Sequence, residues 1–288
     1  MTIDKALGVR EEDLPWVDIG VRPGYNQRYQ GFFDKKRKIS ARVGSLYAEP
    51  YYHSPRHRHT FQQVRYVLSG KMKYGKDVYQ KDDCLYLPEG SYYGPIKPVD
   101  SGEQLHFADI QFDGFSGIPY PDPDEVVDAQ KALEKIGTFK EGVYTFPDGR
   151  NRDAYEAILE KISGKKIEYP DPWLNGYTVI RTPQINWRPH ESLKGVFIKD
   201  LALFFSKGPN LKLINIEEGN RLPSSKSPCN IAVFLLEGKL SFNSKNYEKL
   251  SYFMLPSGET YEDFNASENC KVLLVGWSQT QTIKFDLI

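Results

Sequence analysis

The chain has 288 residues, enough for two domains of ordinary size, and its 38 Lys plus Arg balance 38 Asp plus Glu, so no net field attracts nucleic acid or an anionic membrane surface. Forty per cent hydrophobic residues, with 19 Tyr, 16 Phe, 19 Pro and 23 Gly, suit short strands joined by tight turns. Three widely spaced cysteines (Cys84, Cys229, Cys270) form no metal-like pair, the first residues carry no apolar leader, and no run is long enough to span a bilayer, so a cytoplasmic protein with structural thiols is expected.

Residues 1 to 30 are polar, with a turn at Pro23 and Gly24, and read as an arm that leads into the first domain or packs on a partner. From Gly31 the pattern turns strand-like, through KISARVGSLYAEPYY and into HRHTFQQVRYVLSG, His57 to Gly70. Strand alternation puts His57, His59, Gln63, Arg65 and Val67 on one face. KMKYGKDVYQKDDCLYLP then reads as a hairpin with Gly75 near its turn, and Pro88 opens PEGSYY, a turn that should bring Tyr93 back toward the histidines. In EQLHFADIQF, Gln104, His106, Ala108, Ile110 and Phe112 share a face, with Phe107, Asp109 and Gln111 on the other. The first face is the more apolar, so His106 is expected to point inward.

The prolines of IPYPDPD mark a boundary. Two helices are expected after it, DEVVDAQKALEKIG (Asp124 capping, Gly137 stopping) and NRDAYEAILEKISG (Asn151 capping, Gly164 stopping), followed by a Pro-rich stretch with no assigned structure. Strands resume at GVFIKDLALFF and run through LKLINIEEG to KVLLVGW. This second half repeats the first: a shift of 168 residues lays Gly70, Pro88, Gly90 and Tyr93 on Gly238, Pro256, Gly258 and Tyr261 without a gap. The same shift lays His57, His59 and Gln63 on Ser225, Ser227 and Ile231. The turns are duplicated and the imidazoles are not, so any chemistry belongs to the first half. The division is 1–118, an arm and first barrel; 119–195, an intervening segment; and 196–288, a second barrel.

The order His-x-His, a Glu-like position, Gly, then Pro-x-Gly resembles the two motifs of the cupin superfamily. The resemblance implies an all-β fold of two jelly-roll barrels, a two-barrel cupin with a short helical or irregular segment between them. It also implies a divalent metal (Fe, Zn, Ni or Mn) held in the first barrel by first-motif residues, with dioxygenase or isomerase chemistry. This sequence has Gln63 where that family usually has Glu and Tyr93 where it usually has a third His. The metal set expected is therefore His57, His59 and His106, with Gln63 as a weak or outer ligand; His53, in phase with His57, is a further option.

Arg65, in a segment QVRYVLSG that is similar to one in acireductone dioxygenases, would either meet a small organic anion or pair with a barrel carboxylate. Tyr93 is the candidate to hydrogen-bond a substrate, and with Arg65 makes up the expected catalytic pair. Arg56 and Arg58 alternate with the histidines and face out, and His190 reads as a loop residue. Asn265 opens a glycosylation acceptor pattern that has no meaning in a chain without a leader. No phosphate loop, nucleophile elbow or Cys-x-x-Cys pair is present. The competing reading is a cupin that binds a small ligand, or serves assembly, without metal. A homodimer is a further expectation, although two barrels in one chain could cover each other.

Overall fold

The structure is a computed structural model; it describes residues 5–18, 23–34, 39–99, 104–114, 121, 123–278 and 282. The first half supplies β1 (Leu7–Val9), β2 (Tyr25–Asp34), β3 (Ile39–Ala48), β4 (Phe61–Ser69), β5 (Lys71–Tyr74), β6 (Asp77–Gln80), β7 (Asp83–Leu87), β8 (Ile96–Pro98) and β9 (Leu105–Asp113). Helices α1 (Pro123–Glu134) and α2 (Ala154–Ser163) follow, then β10 (Thr178–Arg181). The second half is built from β11 (Val196–Leu203), β12 (Asn210–Ile216), β13 (Asn230–Glu237), β14 (Lys239–Phe242), β15 (Lys245–Glu248), β16 (Tyr252–Leu255), β17 (Phe264–Ala266) and β18 (Cys270–Trp277).

The repeat seen in the sequence is a repeat of strands. At the same shift of 168, β5 falls on β14 and β6 on β15, each pair forming a hairpin. One seven-stranded sheet runs β10-β7-β4-β9-β3-β2 and ends on Val17–Asp18; the other runs β1-β16-β13-β18-β12-β11 and ends on Arg188–Pro189. Gly70 and Gly238 hold positive φ (80° and 86°), and a Cβ on either would sit 2.4 Å and 2.1 Å from the carbonyl oxygens of Gln104 and Asn269. The conserved register of the two turns therefore has one steric cause, the close approach of a facing backbone.

Each sheet borrows its edge strand. The arm does not merely lead into the first barrel: β1 pairs antiparallel with β16 of the second. The Pro-rich stretch without assigned structure contributes β10, which pairs with β7 of the first barrel. The first long strand begins at Tyr25, six residues before the expected Gly31.

The two sheets pack face to face. Val43, Val64, Tyr66, Ala108, Ile110 and Phe112 meet Leu211, Leu213, Ala232, Phe234, Leu273 and Trp277 in one buried cluster, and Phe112 stacks on Trp277 with ring centroids 4.6 Å apart. Each barrel keeps a separate interior behind its sheet. Consequently β4 and β9 are buried on both faces. The facing surfaces of the two sheets therefore cover each other within one chain.

Of the prolines of IPYPDPD, Pro119 lies outside the described residues and Pro123 opens helix α1. Helix α1 starts at Pro123 with Asp124 inside its first turn, rather than with Asp124 as the cap. Helix α2 is capped by Asp153, not Asn151: the Asp153 carboxylate accepts from the amides of Tyr155 and Glu156 at 3.0 and 3.1 Å, while Asn151 pairs in a small sheet. Gly164 closes α2 at φ 68°, as its position in the sequence suggests. The three cysteines are free and buried. Among the described residues no helix is long and apolar enough to cross a membrane.

Candidate functional site

The Pro-x-Gly turn does return Tyr93 to the histidines. His57 and Tyr93 exchange both backbone hydrogen bonds (3.0 and 2.9 Å), and the Gly90 amide donates to the His59 carbonyl at 2.8 Å. The His57 and His59 rings lie edge to face with centroids 5.0 Å apart, and the Tyr93 ring is 4.5 Å from the first and 5.5 Å from the second. His57 Nδ1 is 2.7 Å from the Pro55 carbonyl oxygen, which can only accept. Nδ1 therefore carries a proton, and Nε2 is the ring nitrogen turned away from this bond. His59 stacks on Phe61 (4.3 Å) and meets Tyr155 of α2 edge-on (5.7 Å). The inter-barrel segment thus reaches the mouth of the first barrel.

Cross-strand register orders the interior behind these rings. At the level nearest Phe61, Gly31, Arg42, Gln111, Gln63 and Leu87 lie side by side across β2, β3, β9, β4 and β7. One level deeper the row is Tyr29, Gly44, Asp109, Arg65 and Leu85. Gly44 is required there, because a Cβ would sit 1.8 Å from the Arg28 carbonyl oxygen.

Asp109 is fully buried and is the hub of this interior. Gln63 Nε2 donates to both its oxygens (2.7 and 2.9 Å), Gln111 Nε2 donates at 2.6 Å, and Arg65 Nε donates at 3.3 Å. The Tyr29 hydroxyl also donates to it. Burial, and then the Asp109 charge, hold the Tyr29 phenol well above its ordinary range, so it keeps the proton it donates. Arg65 completes its set with the hydroxyls of Tyr74 and Tyr25 and lies over the Phe107 ring at 4.9 Å. Of the two roles open to Arg65, the barrel carboxylate is the partner found.

His106 is not brought to the other histidines. Along β9, Leu105 and Phe107 join the barrel interior whereas Ala108, Ile110 and Phe112 join the joint between the sheets, and His106 is in phase with the latter. Its ring stacks on Tyr47 at 3.9 Å. Burial, together with the charge of Lys249, lowers its pKa to about 4. The more apolar face of β9 is the joint and not the barrel, so apolarity pointed His106 the wrong way. His53 is exposed. Arg56 and Arg58 do face out, stacked over Tyr92 and, for Arg58, Tyr169 at 3.9 Å. His190 caps its own loop, its Nδ1 accepting from the amides of Ser192 and Leu193.

Asp109, Gln111, Tyr29, Tyr74 and Tyr155 escaped the sequence reading. A signal for Asp109 was present: a buried Arg65 demands a carboxylate, and Asp109 lies on the face of its strand opposite His106.

The donor set falls short of two imidazoles and a carboxylate. Among the described residues no three His, Cys, Asp or Glu side chains gather where a metal could sit. His57 and His59 remain, joined at most by the neutral carbonyl oxygen of Gln63, while the nearby carboxylate of Asp109 is occupied by Arg65, two amides and a phenol. These residues do not fit the metal centre that the sequence resemblance implies.

At the edge of the same strand, burial raises the Asp113 carboxyl to about 7, opposed in part by the Ser40 amide, which donates to it at 2.7 Å. Because the folded value lies above the unfolded one, this group costs nothing below about pH 4 and costs progressively more as pH rises toward 7. Asp113→Asn is expected to be more stable than the parent above pH 7, by up to about 4 kcal/mol, with the difference vanishing near pH 4. Urea midpoints of the two proteins across pH 4 to 8 measure it.

Two β-sheet units in tandem, packed on each other through their seven-stranded sheets, make up the fold. Solved structures share it. A "putative dioxygenase" from Nostoc punctiforme superposes with a TM-score of 0.65 and 12% identity, over 98% of this chain and 85% of that one. Bacillus subtilis oxalate decarboxylase, in a structure concerned with its Mn(II) centres, gives 0.56 and 15% over 97% and 78%. Streptomyces albus HEPD, with 2-hydroxyethylphosphonate and Fe(II) bound, gives 0.55 and 11% over 96% and 76%. No family model and no curated protein sequence matches the chain. At such identities the likeness is one of fold.

Proposed function

We propose that this protein binds a small molecule at the mouth of its first barrel, among His57, His59 and Tyr93, and does so without a metal. One observation carries the reading: the carboxylate that a metal would need, Asp109, is held by Arg65, Gln63, Gln111 and Tyr29. The same pairing neutralises the guanidinium that an organic anion would have sought, so Arg65 acts on the ligand through Asp109 and its tyrosines rather than by contact. The second barrel supports the assignment to the first. Its counterparts of Arg65 and Asp109 are Val233 and Leu274, paired across the same two strands, and its interior is apolar.

A second reading keeps the metal. It is favoured by His57, whose Nε2 is the nitrogen a metal would take, and by the Mn(II) and Fe(II) in two structures of the same fold. Metal analysis of untagged protein, combined with a thermal-shift panel of small organic acids and polyols with and without chelator, separates the two. Stabilisation that is equal in both conditions and reduced by His59→Ala is expected. Stoichiometric metal that His57→Ala and His59→Ala each abolish would overturn the metal-free reading.

A further inference from the structure

Gln63 and Gln111 face each other directly across β4 and β9, on the row of the barrel nearest Phe61. Both amide nitrogens converge on the Asp109 carboxylate, at 2.7 and 2.9 Å from Gln63 and 2.6 Å from Gln111. An ionised carboxylate only accepts, so neither amide can be turned over without setting oxygen against oxygen. Asp109 thereby turns two carbonyl oxygens away from itself. Both residues are deeply buried (1% and 7% exposed), and neither Oε1 accepts a hydrogen bond among the described residues. A buried acceptor without a donor is costly, and two adjacent ones in the same row are more so.

We propose that the two oxygens form a recognition pair for a neutral polyhydroxylated small molecule, which donates to them from adjacent hydroxyls. This rests on the first barrel being a binding site. Charge bears on the class: Arg65 offsets Asp109 beneath the pair, and the cation Arg42 neighbours Gln111 in the same row, so the acceptors lie in no net negative field that would favour an ammonium over a hydroxyl. Gly31 adds no side chain to the row, and His59, Phe61 and Tyr155 offer ring faces and edges against which the C–H surface of a polyol can pack. The second barrel has Ile231 opposite Gly276 at the matching place, with no acceptor side chain at all.

Ligand-observed saturation-transfer NMR tests this on the full chain, with myo-inositol, ribose, glucose and mannitol as probes, their deoxy analogues, and a set of small carboxylic acids. At least one polyol is expected to bind, and its analogue lacking one of two adjacent hydroxyls should bind about ten-fold more weakly to the unaltered protein. Gln63→Met and Gln111→Met should each weaken it by about the same factor while circular dichroism stays unchanged. Binding of acids but no polyol would overturn the ligand class and leave the binding function standing; binding of neither would remove both. A polyol whose affinity is indifferent to the deoxy change and to both Met variants would overturn the pair as its site.

Discussion

Asp109→Ala is expected to destabilise the protein by about 3–5 kcal/mol, read as a lowered urea midpoint. The change removes the acceptor of four side chains and leaves the Arg65 guanidinium in a barrel interior where only tyrosine hydroxyls and a phenyl face remain. An uncompensated buried charge dominates that cost; the lost hydrogen bonds of Gln63, Gln111 and Tyr29 add to it. The second barrel supplies the control. It has Val233 and Leu274 where the first has Arg65 and Asp109, on strands of the same register and the same buried sheet. The double change Arg65→Val with Asp109→Leu should therefore recover most of the stability lost by Asp109→Ala, because neither charge is left without its partner. If the double variant were no more stable than the single one, the interior would be held by the amides and phenols rather than by the ion pair. Ligand binding, in contrast, should be lost in both variants, since both free the amides of Gln63 and Gln111 from Asp109.

Trp277→Ala should cost a similar amount, about 3–5 kcal/mol, for a different reason. Trp277 is about 1% exposed, stacks on Phe112 of the other barrel, and lies in the cluster shared by the two sheets. Truncation opens a cavity at the joint itself, which two stiff sheets cannot collapse to fill. Hydrogen exchange should show faster opening on β9 and β18 together, the strands that carry Phe112 and Trp277. Loss of protection confined to β18 would mean that the barrels are stabilised independently and that the joint contributes little. Because each sheet takes its edge strand from outside its own barrel, β1 in one case and β10 in the other, cooperative loss is the expected result.

The duplicated turns were legible because their causes are local. Gly70, Gly90, Gly238 and Gly258 all hold positive φ, and a pattern of glycines at fixed spacing needs no knowledge of what packs where. The hairpin around Gly75 and the stop of α2 at Gly164 were legible for the same reason. Capping was less so: Asn151 and Asp153 are both competent caps, and the strand that Asn151 enters decides between them.

His57, His59, Gln63 and Arg65 were placed together by alternation, and His106 was separated from them by it, once the correct face was known. The rule that selects the apolar face as the interior fails for β9, since a strand wedged between a barrel and a second sheet has two interiors. The more apolar one is the joint. Polarity along a strand says that Asp109 and His106 face opposite ways and says nothing about which way is in.

By itself, then, the order of residues determined two copies of a turn-bounded strand unit, a pair of imidazoles in one copy alone, and a polar stripe of amide and guanidinium behind them. Those properties follow from backbone sterics and the period of a strand, which act over a few residues. Tertiary structure alone decided that the polar stripe closes on Asp109, that α2 brings Tyr155 over His59, and that β1 and β10 complete the opposite sheets. Each of these joins residues from distant parts of the chain, and the term that selects among such pairings, burial of a charge only beside its counter-charge, exists only after the barrel has closed.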